Sequence, residues 1–218
     1  TPDGQTKSDA YFLEANTPRE AAELIERLVS EQIPKKFGYS GNQISVLSPM
    51  NQGDLGIHAL NRRLQEKLIP VDEKLPRVKF GDKEFRLGDR VSQRVNNYNI
   101  HENGVFNGDQ GKIFAIDASE KTIWVELWDG REIEYKSSNL NELSLAYAIT
   151  IHRSQGSEIP AVVLALHNTH AIMLERQLIY TAVTRAKKLL IVVGTKEALR
   201  MGVKKGRGMR RFTGLSLM

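Results

Sequence analysis

The sequence predicts an α/β fold in which a parallel sheet with flanking helices is interrupted by a small inserted β-barrel. Unbroken apolar runs at residues 146–150, 161–166 and 189–193 are typical of strands buried on both faces. From about residue 80 to residue 143 the pattern changes to short alternating segments with turn signals. Because strand and helix patterns occur on both sides of this region, we interpret it as an insertion.

The first helix is predicted to begin at Thr17 and Pro18. Thr17 can cap the helix, Pro18 suits its first position, and Glu20 completes a capping box. Apolar residues then recur at helical spacing at Ala21, Leu24, Ile25 and Leu28. Pro34 and Gly38 are predicted to end the segment.

A strand at residues 43–48 and a second amphipathic helix are predicted next. The apolar face of that helix is formed by Ile57, Leu60, Leu64 and Leu68. Asn61, Arg62 and Arg63 lie among these residues and are predicted to face solvent. Composition shifts near Pro70, where the inserted region begins.

The inserted barrel is predicted from alternating segments at residues 85–95, 112–116, 122–127 and 131–135. Trp128-Asp129-Gly130 is a strong hairpin-turn signal, and we expect Trp124 and Trp128 to share one strand face in the barrel core. Further helices are predicted at residues 174–186 and 195–201. The predicted organisation is a main domain at residues 1–72 and 144–203, the barrel at 73–143, and a basic tail at 204–218.

The composition of the chain excludes several classes of protein. The chain has no cysteine, which excludes disulfides and thiolate metal sites, and no apolar run long enough to span a membrane. These features predict an intracellular, cytoplasmic protein without a membrane partner. Because the chain starts at Thr1 and not at methionine, we expect that an upstream segment has been removed. Residues 147–218 hold 12 Lys and Arg against 3 Asp and Glu, which indicates a polyanion-docking region or simply a solvated basic surface.

Residues 146–158 combine an apolar run with a polar turn that ends on Glu158. A strand, a small polar turn and the start of a helix would offer backbone N–H groups to a phosphate. The phosphate loop Gly-x-x-x-x-Gly-Lys-[Ser/Thr] does not occur in the chain. The turn is therefore predicted to contact a phosphate or a nucleic acid without being the main nucleotide cradle.

Several stretches resemble the C-terminal half of the RecD-like superfamily 1 DNA helicases (the exodeoxyribonuclease V alpha-chain family). Residues 146–158 resemble helicase motif V, residues 178–187 resemble motif VI, and residues 46–61 are similar to motif IV. Residues 88–91, 96–98 and 105–111 resemble the SH3-like barrel that this family inserts into its second motor domain. The resemblance implies a RecA-like parallel sheet interrupted by an SH3-like barrel.

The resemblance also implies a function in DNA repair and recombination. The full protein would be an ATP-dependent helicase that moves 5′ to 3′ on single-stranded DNA, and this chain would not hydrolyse ATP alone. ATP and Mg²⁺ would be held mainly by the N-terminal motor domain of the same protein. Subunits of a nuclease complex are further expected partners.

Five residues carry the nucleotide-binding expectations. By resemblance Arg185 is the arginine that reaches the γ-phosphate, since a permanently charged planar fork stabilises charge on a transferred phosphoryl group. Gln155 and Gly156 would face the nucleotide, and Glu158 would accept hydrogen bonds from the ribose. The family usually has Arg or Lys where this chain has Gln52, so a phosphate contact there would be weaker. The alternatives are a surface ion pair for Arg185 and a helix start for the turn.

Seven residues are predicted to contact DNA. Thr150, His152, Arg153 and Ser154 occupy the family positions that hold the DNA backbone, although lysine is frequent where Arg153 stands. In the barrel, Asn96, Asn97 and Tyr98, with Gln93 and Asn107, form a polar cluster that suits single-stranded DNA. A turn held by its own asparagine side chains explains that cluster equally well.

Three alternatives to this assignment follow from the same residues. The chain fits a non-catalytic nucleic-acid-binding or scaffolding module, which Gln52 favours. It also fits a viral or conjugative helicase that prefers RNA or a nicked strand. A metal site at His167 and His170 is disfavoured, because no cysteine or acidic cluster accompanies the two histidines.

Overall fold

The computed structural model describes residues 9–205. The strands are β1 (Ala10–Glu14), β2 (Ile44–Ser48), β3 (Arg77–Phe80), β4 (Lys83–Arg86), β5 (Arg90–Gln93), β6 (Gln110–Asp117), β7 (Thr122–Leu127), β8 (Glu132–Tyr135), β9 (Leu143–Leu145), β10 (Ala148–Thr150), β11 (Ile159–Leu166) and β12 (Ala186–Gly194). The α-helices are α1 (Pro18–Arg27), α2 (Ile33–Phe37), α3 (Ile57–Leu68), α4 (Arg176–Val183) and α5 (Lys196–Lys204). The predicted basic tail at residues 204–218 lies almost entirely outside the described residues.

A five-stranded parallel sheet forms the main domain, with the strand order β1-β12-β11-β2-β10. Val46 of β2 lies between Ala148 of β10 and Val163 of β11. The predicted α/β class is therefore confirmed. β1 was not predicted, because this edge strand is only partly buried and lacks the unbroken apolar run of the central strands.

Alternate residues of the central strands pack into two different cores. Val46, Val163 and Ile191 belong to the core beneath α1 and α3, whereas Leu47 and Val192 belong to the core beneath α4 and α5. Since side chains of a strand alternate between the two faces of a sheet, helices on both faces require an apolar residue at every position.

The first helical segment begins as predicted and ends later. Thr17 accepts a hydrogen bond from the Glu20 backbone N at 3.1 Å, so the predicted cap is confirmed. A π-helical turn at Leu28–Gln32 follows α1, and Pro34 lies in the first turn of α2. The prediction that Pro34 ends the segment is wrong, because a first turn needs few intrahelical N–H donors. Gly38 ends it with a positive φ of 75°.

The inserted unit consists of the β3–β4 hairpin and a five-stranded antiparallel sheet with the order β8-β7-β6-β5-β9. Its last strand, β9, pairs with β5 and ends at Leu145, two residues after the predicted end of the barrel. Ile123 and Val125 fill the core, while Trp124 points to the opposite face and is only half-buried. Trp128 lies in the following turn and is 44% exposed. The prediction of a tryptophan core is therefore wrong.

A buried polar contact joins the inserted unit to the parallel sheet through Arg90. Its guanidinium is buried and donates to the Ile44 carbonyl, to Ser45 Oγ at 2.6 Å and to Gln110 Oε1 at 2.9 Å. Burial lowers the pKa of Arg90 to about 10. Two of the three acceptors belong to β2, so Arg90 fixes β5 of the insert against the centre of the main domain.

The neighbouring Asp89 makes a second such contact and is fully buried. It accepts from Tyr147 Oη at 2.8 Å and from Gln65 Nε2 at 2.6 Å. Burial raises the pKa of Asp89 to about 6, against the opposing effect of its hydrogen-bond donors. Because Gln65 belongs to α3 and Tyr147 directly precedes β10, Asp89 ties the insert to two elements of the main domain.

Within residues 9–205, no helix is both long and apolar enough to cross a membrane.

Candidate functional site

Residues 151–158 connect the carboxyl end of β10 to the amino end of β11. They form a short 3-10 turn at His152–Ser154 and then a second turn at Gln155 and Gly156, in which the Ser157 N–H donates to the Ser154 carbonyl at 3.1 Å. The two ends of this connection are separated by the length of β2, roughly 13 Å at about 3.3 Å per residue. The predicted helix start after Gly156 is wrong, because β11 begins there at Ile159. The segment thus has one end near Thr150 and another near Glu158.

Asn61 fixes the strand that precedes this connection. Its side chain donates to the Ala148 carbonyl at 2.8 Å and accepts from the Ala148 N–H at 2.9 Å. β10 is a three-residue edge strand, so this pair of bonds replaces the strand partner that is missing on its outer side. The prediction that Asn61 faces solvent is wrong, because the side chain is buried in this contact.

Gly156 leaves open space at the surface of the turn. Its φ is +84°, and a Cβ atom built there would meet no atom within 4 Å. A left-handed conformation favours glycine, and the missing side chain exposes the backbone to an approaching group. By contrast, a Cβ atom on Gly194 would collide with the Leu166 carbonyl at 1.7 Å. The side of Gly156 on which a side chain would lie therefore faces open space.

Arg185 lies between α4 and β12 and reaches the same turn. Its Nη1 donates to the Ser157 carbonyl, its Nε to the Thr181 carbonyl, and its Nη2 to Thr184 Oγ1, each at 3.2 Å. All three acceptors are neutral. No carboxylate of the described residues lies within 4 Å of Arg185, which argues against a surface ion pair. The guanidinium is half-buried.

Glu158 is exposed and pairs with Lys187 at 2.8 Å. The hydrogen bond and charge of Lys187 lower the pKa of Glu158, and Arg185 contributes a smaller effect in the same direction. Glu158 in turn raises the pKa of Lys187. Exposed ion pairs are weak, so this carboxylate can exchange Lys187 for another donor. Lys187 was not predicted as a site residue, although it closes the motif VI stretch.

Gln155 and Gln52 belong to different loops. Gln155 and His152 line a cleft of about 340 Å³ whose opposite wall includes Ile172, Met173 and Thr181. Gln52 lies in the loop that follows β2, and its side chain is exposed. Gln155 is thus near the residues of α4 that lead to Arg185, whereas Gln52 belongs to a separate loop.

The four predicted DNA contacts of the turn differ in what their side chains do. His152 is exposed, and Thr150 accepts from the Arg153 backbone N at 3.3 Å. Arg153 donates to the Gln93 carbonyl at 2.7 Å and to Asn107 Oδ1 at 3.1 Å, so it bridges to the inserted unit. Ser154 is fully buried and donates to the Ile151 carbonyl at 2.7 Å. The prediction of Ser154 as a DNA contact is wrong, because its hydroxyl holds the turn and does not reach solvent.

The amide side chains of the barrel loop bond within the protein. Asn97 donates to both carboxylate oxygens of Glu142, at 3.0 and 3.1 Å, and Gln93 donates to the same carboxylate at 2.8 Å. Asn96 accepts from the Asn107 backbone N at 2.9 Å. The alternative of a loop held by its own side chains accounts for Asn97 and for the buried Gln93, so neither is available to DNA.

Tyr98 differs from its neighbours in the loop. Its side chain is 67% exposed and packs edge-on against Phe106, with ring centroids 5.8 Å apart. Phe106 is itself 41% exposed. An exposed aromatic pair offers a ring face to a nucleic-acid base. Tyr98 thus remains the open part of this predicted cluster.

The two histidines after β11 form a closed local turn. The His167 backbone N donates to His170 Nδ1 at 3.3 Å, and His167 Nε2 lies 3.2 Å from the Asn16 carbonyl oxygen. Burial and the neighbouring His167 lower the pKa of His170 to about 4. His170 is therefore an uncharged structural residue near neutral pH.

Two family models match the chain in the regions that carry this geometry. Residues 145–193, which contain the turn and Arg185, match the UvrD-like helicase C-terminal domain. Residues 60–127 match the SH3 domain of ATP-dependent RecD-like DNA helicases. The chain carries a UvrD-like helicase C-terminal domain and a RecD-like SH3 domain. The predicted RecD-like resemblance and the predicted fold are thereby confirmed.

Curated relatives of this RecD-like chain are longer proteins. The ATP-dependent RecD2 DNA helicase of Deinococcus radiodurans is 36% identical over 167 residues, which cover 77% of this chain and 22% of the relative. RecD, a subunit of the RecBCD enzyme of Mycobacterium tuberculosis, is 28% identical over 72% of this chain and 26% of the relative. The RecD-like chain thus spans about a quarter of the length of these relatives.

Solved structures support the fold alone. A Pif1 helicase from Bacteroides in complex with ADP-AlF3 and single-stranded DNA aligns with a TM-score of 0.53 and 19% identity. The alignment covers 81% of this RecD-like chain and 46% of that structure. Bacteroides Pif1 bound to single-stranded DNA aligns over 70% of this chain and 41% of that structure, with a TM-score of 0.50 and 20% identity.

Proposed function

We propose that this chain is the C-terminal motor part of an ATP-dependent helicase that moves 5′ to 3′ along single-stranded DNA, with Arg185 as its arginine finger. One observation carries the proposal: the Arg185 guanidinium contacts the Gly156 turn, and its hydrogen-bond partners within residues 9–205 are neutral. Because no carboxylate of these described residues lies within 4 Å of it, Arg185 can stabilise the charge that develops on a transferred phosphoryl group.

The residues around Gly156 fit the phosphate end of ATP. Gly156 has no side chain, and the space where a Cβ atom would lie is open. The backbone there is therefore accessible to a phosphate oxygen. Gln155 supplies an uncharged donor, and Glu158 supplies a carboxylate for ribose hydroxyls. When bound, ATP supplies the phosphoryl group whose transfer to water drives the motor.

We assign the binding of Mg²⁺ to another part of the parent protein. Within residues 9–205, no group of three His, Asp or Glu side chains is placed to hold a metal ion. The N-terminal motor domain of the parent is the proposed source of the metal ligands and of the main phosphate cradle. On this proposal the chain does not hydrolyse ATP alone.

The opposite end of the same connection is the proposed grip on DNA. His152 is exposed and donates to phosphate oxygens without reading sequence. Thr150, which is half-buried at the carboxyl end of β10, adds a hydroxyl. His152 and Gly156 belong to the same connection, with only three residues between them. Closure of the motor domains around ATP, which requires that the closed form bind ATP more tightly, therefore shifts the grip on DNA.

The test is ATP hydrolysis by the full-length parent in the presence of single-stranded DNA. Arg185→Ala is expected to lower the stimulated rate by about 10³-fold or more, because the transition state loses its guanidinium. Arg200→Ala on α5 is the matched control, since Arg200 is an exposed arginine of the same domain. A stimulated rate unchanged in Arg185→Ala would refute the proposed role.

A non-catalytic binding or scaffolding module is the second candidate function. Gln52 favours it, because an uncharged residue at this position weakens any phosphate contact. Turnover by the parent decides between the two candidates. Comparing RNA with DNA as the stimulating strand tests the further possibility of an RNA-preferring motor.

The relatives named RecBCD subunits suggest nuclease-complex partners and a role in DNA repair and recombination.

A further inference from the structure

One side chain, Lys187, holds the carboxylate of Glu158 at the amino end of the parallel sheet. Glu158 directly precedes β11, and Lys187 is the second residue of β12. The two strands are parallel neighbours in which Ile159 lies opposite Ala186, so both side chains belong to the same edge of the sheet. Lys187 Nζ donates to Glu158 Oε2 at 2.8 Å. Residues 9–205 supply no other hydrogen bond to this carboxylate.

The backbone on either side of Glu158 is fixed by Arg185. Nη1 of Arg185 donates to the Ser157 carbonyl at 3.2 Å, and the Arg185 carbonyl accepts from the Ile159 N–H at 2.9 Å. The main chain at Glu158 is therefore held without help from Lys187. What Lys187 determines is the direction of the carboxylate, because an unbonded glutamate side chain samples several rotamers.

The ion pair leaves one carboxylate oxygen for a ligand. Lys187 binds Oε2, and Oε1 accepts no hydrogen bond from the described residues. The side chains of Glu158 and Lys187 are 73% and 57% exposed, so their pair adds little to the stability of the fold. The hydrogen bond and charge of Lys187 also lower the pKa of Glu158, which keeps the carboxylate ionised and able to accept from a hydroxyl.

We propose that Lys187 is a positioning residue for ribose binding, which holds one oxygen of the Glu158 carboxylate so that the other accepts a ribose hydroxyl of the nucleotide. This inference rests on the proposed function and deepens it, because it adds a residue that controls discrimination between nucleotide sugars. A hydroxyl binds an ionised carboxylate more strongly than a neutral acceptor. A nucleotide that lacks this hydroxyl leaves the oriented carboxylate oxygen unpaired and binds less tightly.

The experiment is steady-state hydrolysis by the full-length parent with single-stranded DNA, using ATP and its 2′-deoxy and 3′-deoxy analogues. Lys187→Ala is expected to raise the KM for ATP about tenfold and to leave kcat within about twofold, because binding weakens equally in the ground state and the transition state. For the analogue that lacks the contacted hydroxyl, KM should change by less than about twofold. Lys187→Arg should restore the KM for ATP, since a guanidinium can hold the same oxygen.

Lys188→Ala is the matched control. Lys188 is the adjacent exposed lysine of β12 and forms no ion pair within residues 9–205, so its replacement should leave the KM for ATP unchanged. Lys187 is itself exposed, and Lys187→Ala is therefore expected to unfold at the same temperature as the unmodified protein.

A second background separates positioning from direct contact with the nucleotide. In Glu158→Ala, adding Lys187→Ala is expected to change KM by less than about twofold, because Lys187 acts only through Glu158. An equal rise in KM in both backgrounds, or for ATP and both analogues, would overturn the inference. An unchanged KM in Lys187→Ala, with the stimulated rate lost in Arg185→Ala, would overturn it while the proposed function stands. If the unmodified parent does not hydrolyse ATP, both fail.

Discussion

The turn at residues 151–158 and the barrel loop at residues 93–107 both present polar residues next to glycines. They differ in whether those polar groups are already hydrogen-bonded within the protein. In the barrel loop, Asn97 and Gln93 donate to the Glu142 carboxylate, so their amides are already satisfied. At the turn, Gly156 faces open space, and the acceptors of Arg185 in the described part of the chain are neutral. Buried or bonded polar groups stabilise a fold, whereas unpaired groups at a surface can bind a ligand.

The difference shows that residue type alone does not identify a binding surface. Amides in a loop suggested single-stranded DNA contacts, but one carboxylate from a distant part of the chain, Glu142, occupies them. Tyr98 keeps an exposed ring because its edge-on contact with Phe106 covers only part of it. The following predictions test whether the turn is a ligand site and the loop is mainly structural.

Gly156→Ala gives the largest expected effect. Gly156 and Gly130 have nearly equal φ angles, +84° and +88°, and at both an added Cβ meets no atom within 4 Å. The two substitutions therefore impose a similar backbone strain, about 1 kcal/mol each. We expect Gly156→Ala in the parent to lower DNA-stimulated ATP hydrolysis by about 100-fold, because the new methyl blocks backbone approach to phosphate. Gly130→Ala should retain activity, and equal losses in the two variants would contradict a nucleotide role for the turn.

Glu142→Ala tests the structural character of the barrel loop. The change leaves the amides of Asn97, Gln93 and Asn139 without their acceptor. We expect the free energy of unfolding to fall by about 2–3 kcal/mol, measured by urea denaturation followed by circular dichroism. Glu134→Ala is the control, since Glu134 is an exposed carboxylate of the same unit. Equal stability of the two variants would mean that the loop is not held by Glu142.

His170→Gln tests a third polar turn, whose groups are also bonded internally. The folded protein holds the pKa of His170 at about 4, below the ordinary 6.5, so the unfolded chain binds the proton first as pH falls. Stability from this group is therefore present above pH 6.5 and is lost as pH falls towards 4. Between about pH 7.5 and 5 the unmodified chain should lose about 2 kcal/mol through His170. His170→Gln should lose less over that range. An identical loss in the variant and the unmodified chain would exclude His170 as the cause.

Tyr98→Ala gives the smallest expected effect. If the exposed ring stacks on a base, the affinity for single-stranded DNA should fall by about 1–2 kcal/mol while stability stays within about 0.5 kcal/mol. Phe114→Ala provides the comparison, because Phe114 is another exposed aromatic residue of the insert. Anisotropy titrations of the two variants would decide the matter, and equal affinities would leave the barrel loop without any part in DNA binding.

The elements that the sequence predicts well are those determined by local pattern. The central strands were predictable because both faces are buried, and the start of α1 was predictable because Thr17 and Pro18 suit a helix terminus. β1 was missed because an edge strand is buried only in part. The tryptophans were misplaced because strand alternation assigns Trp124 to the outer face once Ile123 and Val125 fill the core.

The details of the candidate site depend on contacts between distant residues. The sequence indicated Gly156 and Arg185 through their motifs, but it did not reveal that Ser154 is buried or that Asn61 clamps Ala148.

The buried contacts that Asp89 and Arg90 make to the main domain have a mechanical consequence. Rotating the insert against the sheet would strip Arg90 from Ile44 and Ser45 and leave a buried cation unpaired, at a cost of several kcal/mol. The insert therefore has little freedom to rotate against the parallel sheet. A force applied to the insert would therefore pass through Arg90 into β2 and the strands beside it.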